Sequence, residues 1–243
     1  MRAHCAHSGC IVATRSDRQF TGFPKDFFAF FEELALNNER AWFLANKTRY
    51  EASVLKPMTC LVADMALPLS RISRYYVADP KRSLFRIYRD VRFSKDKRPY
   101  KEHCAAQFRH AAGRDVHAPG FYVHVAPDEI FVGGGMWMPD AAALKRVRDA
   151  IASDTAAWRR AQDKRFREVF GGLSDEYTLK RPPKGYEADH PAIADIRRTS
   201  FVFGRESTRT RAGKAAFLDE VEEAFVAARP MMRFLCKALD LPF

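Results

Sequence analysis

The feature that most constrains the fold is an alternating segment near the middle of the chain. From Gly120 the sequence FYVHVAP places every second residue apolar, and after a turn at Asp128 the sequence IFVGGGMWM resumes the pattern. Two runs of period two around a short polar turn predict an antiparallel hairpin. The glycines 133–135 predict a bulge or close backbone packing, since no GK[ST] or GxGxxG pattern of a phosphate loop is present.

Helical periodicity dominates on both sides of the hairpin. Before it, predicted helices start after Pro24, run through Trp42, Phe43, Tyr50 and Val54, and resume at Pro57. Asn37 and Asn38 are predicted to end the first helix and cap the second. After the hairpin, predicted helices start at Asp140, at Ser153 or Asp154 with an end at Gly171, and at about Lys214.

Three other segments complete the fold prediction. The stretch Leu84–Phe93 alternates and predicts a strand, although its apolar residues also fit helical spacing. Residues 180–191 form a proline-rich loop, and Ser200–Phe203 is a short predicted strand. Because regular βαβ alternation is absent, the pattern predicts an α+β fold with one antiparallel sheet flanked by N-terminal and C-terminal helices.

Composition predicts one folded domain. The chain has 243 residues, 47% of them hydrophobic, which suffices for one domain over residues 20–243 after a disordered extension at 1–19. No apolar run reaches the ~20 residues of a membrane span and no secretory signal is evident, so we expect a cytoplasmic protein without a membrane partner. The five cysteines are expected to be reduced thiols. A metal is not predicted at His4, Cys5, His7 and Cys10, because no second ligand pair follows.

Positive charge is concentrated in two stretches. Arg86–Lys101 holds seven cations and two carboxylates, and Arg197–Lys214 holds six cations and one carboxylate, so each carries +5 of the chain's total of +11. Such local charge predicts a specific anionic partner, although solvated charge runs are the commoner cause. In the predicted strand Arg89 points inward, where it needs a buried carboxylate, a bulge that redirects it, or a bound anion.

Four segments carry a resemblance to a known family. They are NNERAWFLANKTRYE (37–51), FRIYRDVRFSKDKRPYK (85–101), PGFYVHVAPDEIFVGGGMWMP (119–139) and PKGYEADHP (183–191). In these motifs the sequence resembles the domain-of-unknown-function family DUF2461 of bacteria and fungi. The resemblance covers nearly the whole chain from Phe20 onward and implies a single domain. It transfers no activity, cofactor or catalytic residue.

The first functional hypothesis is a site for a small ligand that carries a phosphate or carboxylate. The predicted anion-binding residues are Arg86, Arg89, Arg92, Lys95, Lys97 and Lys101. Asp90 and Asp96 are candidate general bases. The predicted cleft-lining residues are Tyr88, Tyr100, Tyr122, His124, Lys184, Tyr186 and His190, with the last three forming the wall opposite the basic stretch.

Two alternatives stay open beside this hypothesis. The two basic stretches could form one continuous surface that binds nucleic acid, which would require exposed and unpaired cations. Alternatively, the arginines and aspartates of 86–101 form an internal ion-pair network in a structural or interaction domain. The sequence assigns no reaction, cofactor or oligomeric state.

Overall fold

A computed structural model of the protein describes residues 18–112 and 118–243. The predicted extension at 1–19 lies outside these residues except for its last two, and so do His4, Cys5, His7 and Cys10. Arg18 and Gln19 are part of the fold: the guanidinium of Arg18 pairs with Asp219 at 2.5 Å, and the backbone N–H of Gln19 donates to the Asp64 carboxylate.

The chain begins with a helical region before the sheet. Its elements are α1 (Lys25–Leu36), α2 (Arg40–Ala45), α3 (Lys47–Tyr50), a π-helical turn (Glu51–Leu55), α4 (Lys56–Asp64), α5 (Ala66–Ile72) and α6 (Pro80–Ser83). The helix after Pro24 and the place of Pro57 in the first turn of a helix are confirmed. The predicted second helix is divided at Asn46. The side-chain amide of Asn46 donates to the carbonyl of Trp42 and interrupts the regular helix there.

One antiparallel sheet follows, with strand order β1 (Cys104–Arg109), β2 (Gly120–Val125), β3 (Ile130–Met136) and β4 (Phe201–Glu206). The predicted hairpin is β2–β3, and the short strand predicted at Ser200–Phe203 is β4. The α+β prediction is therefore confirmed.

Helices return after β3. They are α7 (Ala141–Ser153), α8 (Thr155–Ala161), α9 (Lys164–Phe170), α10 (Ile193–Ile196), α11 (Arg209–Ala212) and α12 (Phe217–Ala238). Asp140 and Asp154 cap α7 and α8 as predicted. The single helix predicted to end at Gly171 is wrong in extent, because the Asp163 carboxylate accepts the Phe166 N–H and starts a separate helix, α9.

The core lies between the sheet and α12. Phe121 of β2 and Phe108 of β1 pack against Phe225 of α12, with ring centroids 4.6 and 5.3 Å apart. Pro230 lies inside α12 without ending it. This packing assigns one face of the sheet to the core.

The strand predicted at Leu84–Phe93 is wrong as a regular strand. Residues 84–103 form a hairpin-like arm, which is held by isolated pairings of Leu84 with Ala106 and of Tyr88 with Tyr100. Pro99 has no backbone N–H to donate to a neighbouring strand, so regular strand pairing is interrupted within the arm. The arm covers the outer edge of β1, where the Phe85 N–H donates to the carbonyl of Ala105.

Within the described residues, no single helix has the length and apolarity to cross a membrane. One pair of helical segments joined by a bend, Lys47–Asp64 and Ala66–Ile72, reaches that length and apolarity when the two are taken together.

Candidate functional site

The strand register separates the sheet into two faces. Gln107, Tyr122 and Gly133 lie in one row across β1, β2 and β3, and the next row contains Phe108, Phe121 and Gly134. Side chains alternate between faces along a strand, and Phe121 packs on α12, so the row of Tyr122 lies on the outer face.

The outer face holds a cavity of about 560 Å³. Its aromatic walls are formed by Phe85, Tyr122, Phe131, Trp137 and Tyr177. Gln107 and His124 contribute polar groups on the sheet, and Ser174 and Glu176 line the side beyond β4. The volume falls within the ~300–1,000 Å³ of typical small-molecule sites.

Glycines explain why the sheet is hollow here. Gly120, Gly134 and Gly135 line the cavity and leave part of its floor without side chains. A Cβ on Gly133 would overlap the Phe203 carbonyl and lie 2.8 Å from the Gly204 Cα, while Gly135 has a φ of +114° that other residues rarely adopt. The predicted close backbone packing of the glycine run is thus confirmed, and Gly134 and Gly135 of this run line the cavity.

His124 and Tyr122 form the polar part of the cavity. The Tyr122 hydroxyl lies 3.3 Å from Nδ1 of His124, and Nε2 of His124 lies 3.6 Å from a Glu129 carboxylate oxygen. Burial, together with the neighbouring His103, lowers the pKa of His124 to about 4. Burial also raises the pKa of Tyr122 to about 12. Both groups are therefore uncharged hydrogen-bonding partners at neutral pH.

Charge is distributed unevenly around the cavity. Glu129 and Glu176 are the charged side chains among its described lining residues. The cations lie at the edge next to β1, where Lys101 Nζ and the Arg109 guanidinium are 5.2 and 5.9 Å from the ring centroid of Phe85. A charged ligand would therefore meet opposite environments in the cavity and at the β1 edge.

A smaller cavity of about 240 Å³ adjoins this edge. It is lined by Val77, Arg82, Ser83, Gln107, Arg109, His110 and Ala111. Gln107 lines both cavities, and its side-chain oxygen accepts the Arg109 Nε–H at 3.0 Å. No carboxylate is among the described residues that line the smaller cavity, so it is the basic neighbour of the aromatic one.

Most predicted anion-binding arginines are paired within the arm. Arg89 lies 2.7 Å from Asp96 and Arg92 lies 2.7 Å from Asp90. Arg98 pairs with Asp96 at 2.8 Å and also with Glu102. The ion pairs of the internal-network alternative are therefore present. Arg89 meets a carboxylate, which is one of the three alternatives predicted for it.

The remaining arm cations differ in their contacts. Lys97 Nζ donates to the carbonyl of Val91, and Lys101 Nζ donates to that of Arg86. Arg86 and Lys95 form no ion pair with the described part of the chain. The candidate bases Asp90 and Asp96 do not line the aromatic cavity, and hydrogen bonds from Arg92 lower the pKa of Asp90 to about 2.

The predicted cleft-lining residues fall into three places. Tyr122 and His124 line the cavity. Tyr100 is a buried residue of the arm, and its ring stacks on Phe43. Its backbone N–H donates to the side-chain oxygen of Asn38, so Asn38 anchors the arm instead of capping α2. Tyr88 is exposed beside it.

Lys184, Tyr186 and His190 are not among the residues that line the cavity. The Tyr186 hydroxyl donates to Asp149 and the His190 ring contacts the Ala152 carbonyl, so both residues pack on α7. The wall predicted from these residues is formed instead by Ser174, Glu176 and Tyr177.

The second basic stretch is also largely paired. Arg198 contacts Asp195 and Asp175, and Arg205 contacts Glu220 and Glu223. Arg209 pairs with Glu32, and Arg211 pairs with the buried Glu220. A continuous surface of unpaired cations, which the nucleic-acid alternative required, is not found on residues 197–214 of the described chain.

Thiols and metal ligands give no sign of chemistry in the described residues. Cys60, Cys104 and Cys236 are free thiols, and burial raises the pKa of Cys104 to about 12, so this thiol is not a ready nucleophile. No three His, Cys, Asp or Glu side chains come together as a metal site in residues 18–112 and 118–243.

Sequence reasoning missed most of the cavity wall. The sequence pattern places Phe85, Phe131 and Trp137 in predicted strands and assigns no role to Tyr177. The available signal was the parity of the hairpin: Tyr122, His124 and Phe131 all take the face opposite the apolar residues of β2. Aromatic residues on a face that should be polar indicate a covered or ligand-binding surface.

A sheet with a packed inner face and an aromatic-walled cavity on its outer face defines an α+β protein with a candidate small-molecule site. The chain belongs to the family described as conserved hypothetical protein (DUF2461), which matches residues 26–234. This match confirms the resemblance carried by the four sequence segments. Comparisons with curated proteins and with solved structures found no match.

Proposed function

We propose that the protein binds a small molecule whose planar or apolar body fills the aromatic cavity on the outer face of the sheet, called here the sheet-face cavity. The single observation that carries this proposal is the cavity itself, in which aromatic walls surround a glycine floor. Aromatic rings that line an open cavity are stabilised when an apolar ligand removes their surface from water. The cavity therefore favours a ligand with a flat aromatic or alicyclic body.

The polar groups of the cavity support recognition of a neutral body. Gln107, Tyr122 and His124 offer hydrogen bonds but no charge at neutral pH. Buried polar groups that meet a matching ligand group give orientation and specificity. Ligand binding is therefore better supported than catalysis, since the described lining residues include no activated nucleophile.

An anionic ligand bound by the arm alone has less support. Arg89, Arg92 and Arg98 are already paired with carboxylates, so their guanidinium groups are less available to a ligand. The anionic character predicted for the ligand is therefore better sought at the β1 edge of the cavity than at the tip of the arm.

The test is a fluorescence titration with N-phenylnaphthylamine, a neutral aromatic probe that brightens in apolar sites. Val202 lies in the cavity, and Val202→Trp should fill it and weaken probe affinity by about tenfold or more. Val91→Trp adds the same side chain in the arm and should leave affinity within about twofold. Equal affinities for wild type and Val202→Trp would reject the cavity as the site.

A second candidate function is single-stranded nucleic-acid binding by the arm. Phe93 is 95% exposed and Tyr88 is 59% exposed, and Arg86 and Lys95 nearby form no ion pair with described residues. Exposed rings beside free cations suit base stacking with phosphate contacts. Fluorescence anisotropy with a labelled uridine oligonucleotide should detect binding that weakens with salt and with Phe93→Ala; binding insensitive to either change would contradict this candidate.

A further inference from the structure

The β1 edge of the aromatic cavity carries cations that no described carboxylate neutralises. Arg109 bonds Gln107 and lies over the Phe85 ring, and Arg82 lines the same small cavity. Neither arginine forms an ion pair with any residue of the described ranges. By contrast, Arg49, Arg89 and Arg198 elsewhere in the chain are all paired with carboxylates. The β1 edge therefore presents two arginines beside the cavities without a described counter-charge.

Lys101 adds a third cation beside the same ring. Its ammonium group lies 5.2 Å from the Phe85 centroid and donates to the carbonyl of Arg86. Burial lowers the pKa of Lys101, and repulsion from the nearby Arg86 lowers it further. A bound anion would relieve this repulsion.

We infer that the ligand of the sheet-face cavity carries an acidic group, and that this group binds at the β1 edge between Arg82, Arg109 and Lys101. The inference rests on the proposed function, because the aromatic body must occupy the cavity for its acidic group to reach the edge. Gln107 lines both cavities and so marks their junction. The ligand class is an aromatic or alicyclic carboxylate, sulfonate or phosphate.

The carboxylates of the large cavity fix the direction of the ligand. Glu129 lies at the β2–β3 turn and Glu176 lies beyond β4, whereas Arg109 lies on β1. Along β1, Arg109 is four residues from Ala105, which pairs with His124, so the row of Arg109 is roughly 13 Å from that of His124. An acidic group near Glu129 would be repelled, and one near Arg109 would be attracted.

The experiment compares two probes that differ by one charge. Anilinonaphthalene sulfonate is N-phenylnaphthylamine with an added sulfonate, so the ratio of their affinities isolates the acidic group. Arg82→Gln combined with Arg109→Gln should weaken sulfonate binding by about tenfold and change neutral-probe binding by less than about twofold. Lys25→Gln removes a charge outside both cavities and should change neither. Circular dichroism verifies that each variant is folded.

Each outcome separates this inference from the proposed function. Neutral-probe binding with sulfonate binding that is unchanged by the arginine substitutions overturns the inference and leaves the proposed function standing. Loss of both probes to the same extent in the double variant also overturns it, because the effect would not depend on the acidic group. Failure of the neutral probe to bind wild type, with arginine-dependent sulfonate binding, would contradict the proposed function and with it the inference that the acidic group belongs to a ligand of this cavity.

Discussion

His124 is a base that its surroundings keep uncharged. Its ring is stacked on Phe131 with centroids 4.9 Å apart and lies 4.4 Å from the ring of His103. Glu129 and Asp128 attract a proton to it, but burial and His103 oppose this and prevail. The cavity therefore has a neutral imidazole at neutral pH and gains a positive charge only in acid.

This environment makes stability depend on pH. Because the folded pKa of about 4 lies below the ordinary 6.5, the unfolded chain binds more protons between these values. The contribution of His124 to the free energy of unfolding is therefore fully present above pH 6.5. It is lost as the pH falls towards 4, by up to roughly 3 kcal/mol.

His124→Gln should remove much of this loss. Urea unfolding at neutral pH and near pH 5 should show a smaller difference in free energy for His124→Gln than for wild type. His190→Gln alters a histidine outside the cavity and should retain the wild-type pH dependence. An identical pH dependence in wild type and His124→Gln would show that His124 is not the group responsible.

At the scale of the element, the glycines of β3 and β4 are not equivalent. A Cβ on Gly133 would overlap the Phe203 carbonyl, so the approach of β3 to β4 requires glycine there. A Cβ on Gly204 would meet the Phe131 ring at 3.5 Å, which is ordinary contact.

Gly133→Ala should therefore destabilise the protein by on the order of 3 kcal/mol, whereas Gly204→Ala should change stability by less than about 1 kcal/mol. Thermal unfolding measures both variants. Similar melting temperatures for the two would contradict the close approach of the strands at Gly133.

Ion pairs between its own side chains hold the arm together. Asp96 accepts from both Arg89 and Arg98, and hydrogen bonds from these arginines hold the pKa of Asp96 well below its usual range. Among the described residues, Asp90 pairs with Arg92 alone, its neighbour two positions away. The arm should therefore depend on Asp96 more than on Asp90.

Hydrogen exchange tests this difference. The Arg89 amide donates to the Pro99 carbonyl and the Lys101 amide donates to that of Ile87, so both report opening of the arm. Asp96→Asn should speed their exchange several-fold, and Asp90→Asn should have little effect. Equal exchange rates in both variants and wild type would show that the arm does not depend on its ion pairs.

For the whole molecule, periodicity was enough to predict the architecture. The hairpin, the caps at Asp140 and Asp154 and the C-terminal helix depend on local patterns, and local patterns are visible in the sequence. The prediction of a regular strand at Leu84–Phe93 is wrong because alternation indicates an extended backbone but does not identify a partner strand. Pairing is a tertiary property, and here the partner is largely the arm itself.

The candidate site was harder to predict than the fold. Charge density drew attention to Arg86–Lys101, but whether cations are free depends on carboxylates that the chain brings near, such as Asp96 and Glu102. The cavity is formed by residues 85, 107, 122, 177 and 202, which lie far apart in sequence. Of the predicted cleft-lining residues, Tyr122 and His124 line this cavity, and they share one strand.

The most direct test of the sheet-face cavity is an NMR titration of protein carrying ¹⁵N-labelled glycine. The chain has 12 glycines, which gives a simple spectrum in which three report on the cavity: Gly120, Gly134 and Gly135. Addition of N-phenylnaphthylamine should shift these three resonances and leave those of Gly22, Gly185 and Gly213 in place. Shifts confined to the latter glycines, or no shifts at saturating probe, would contradict ligand binding on the outer face of the sheet.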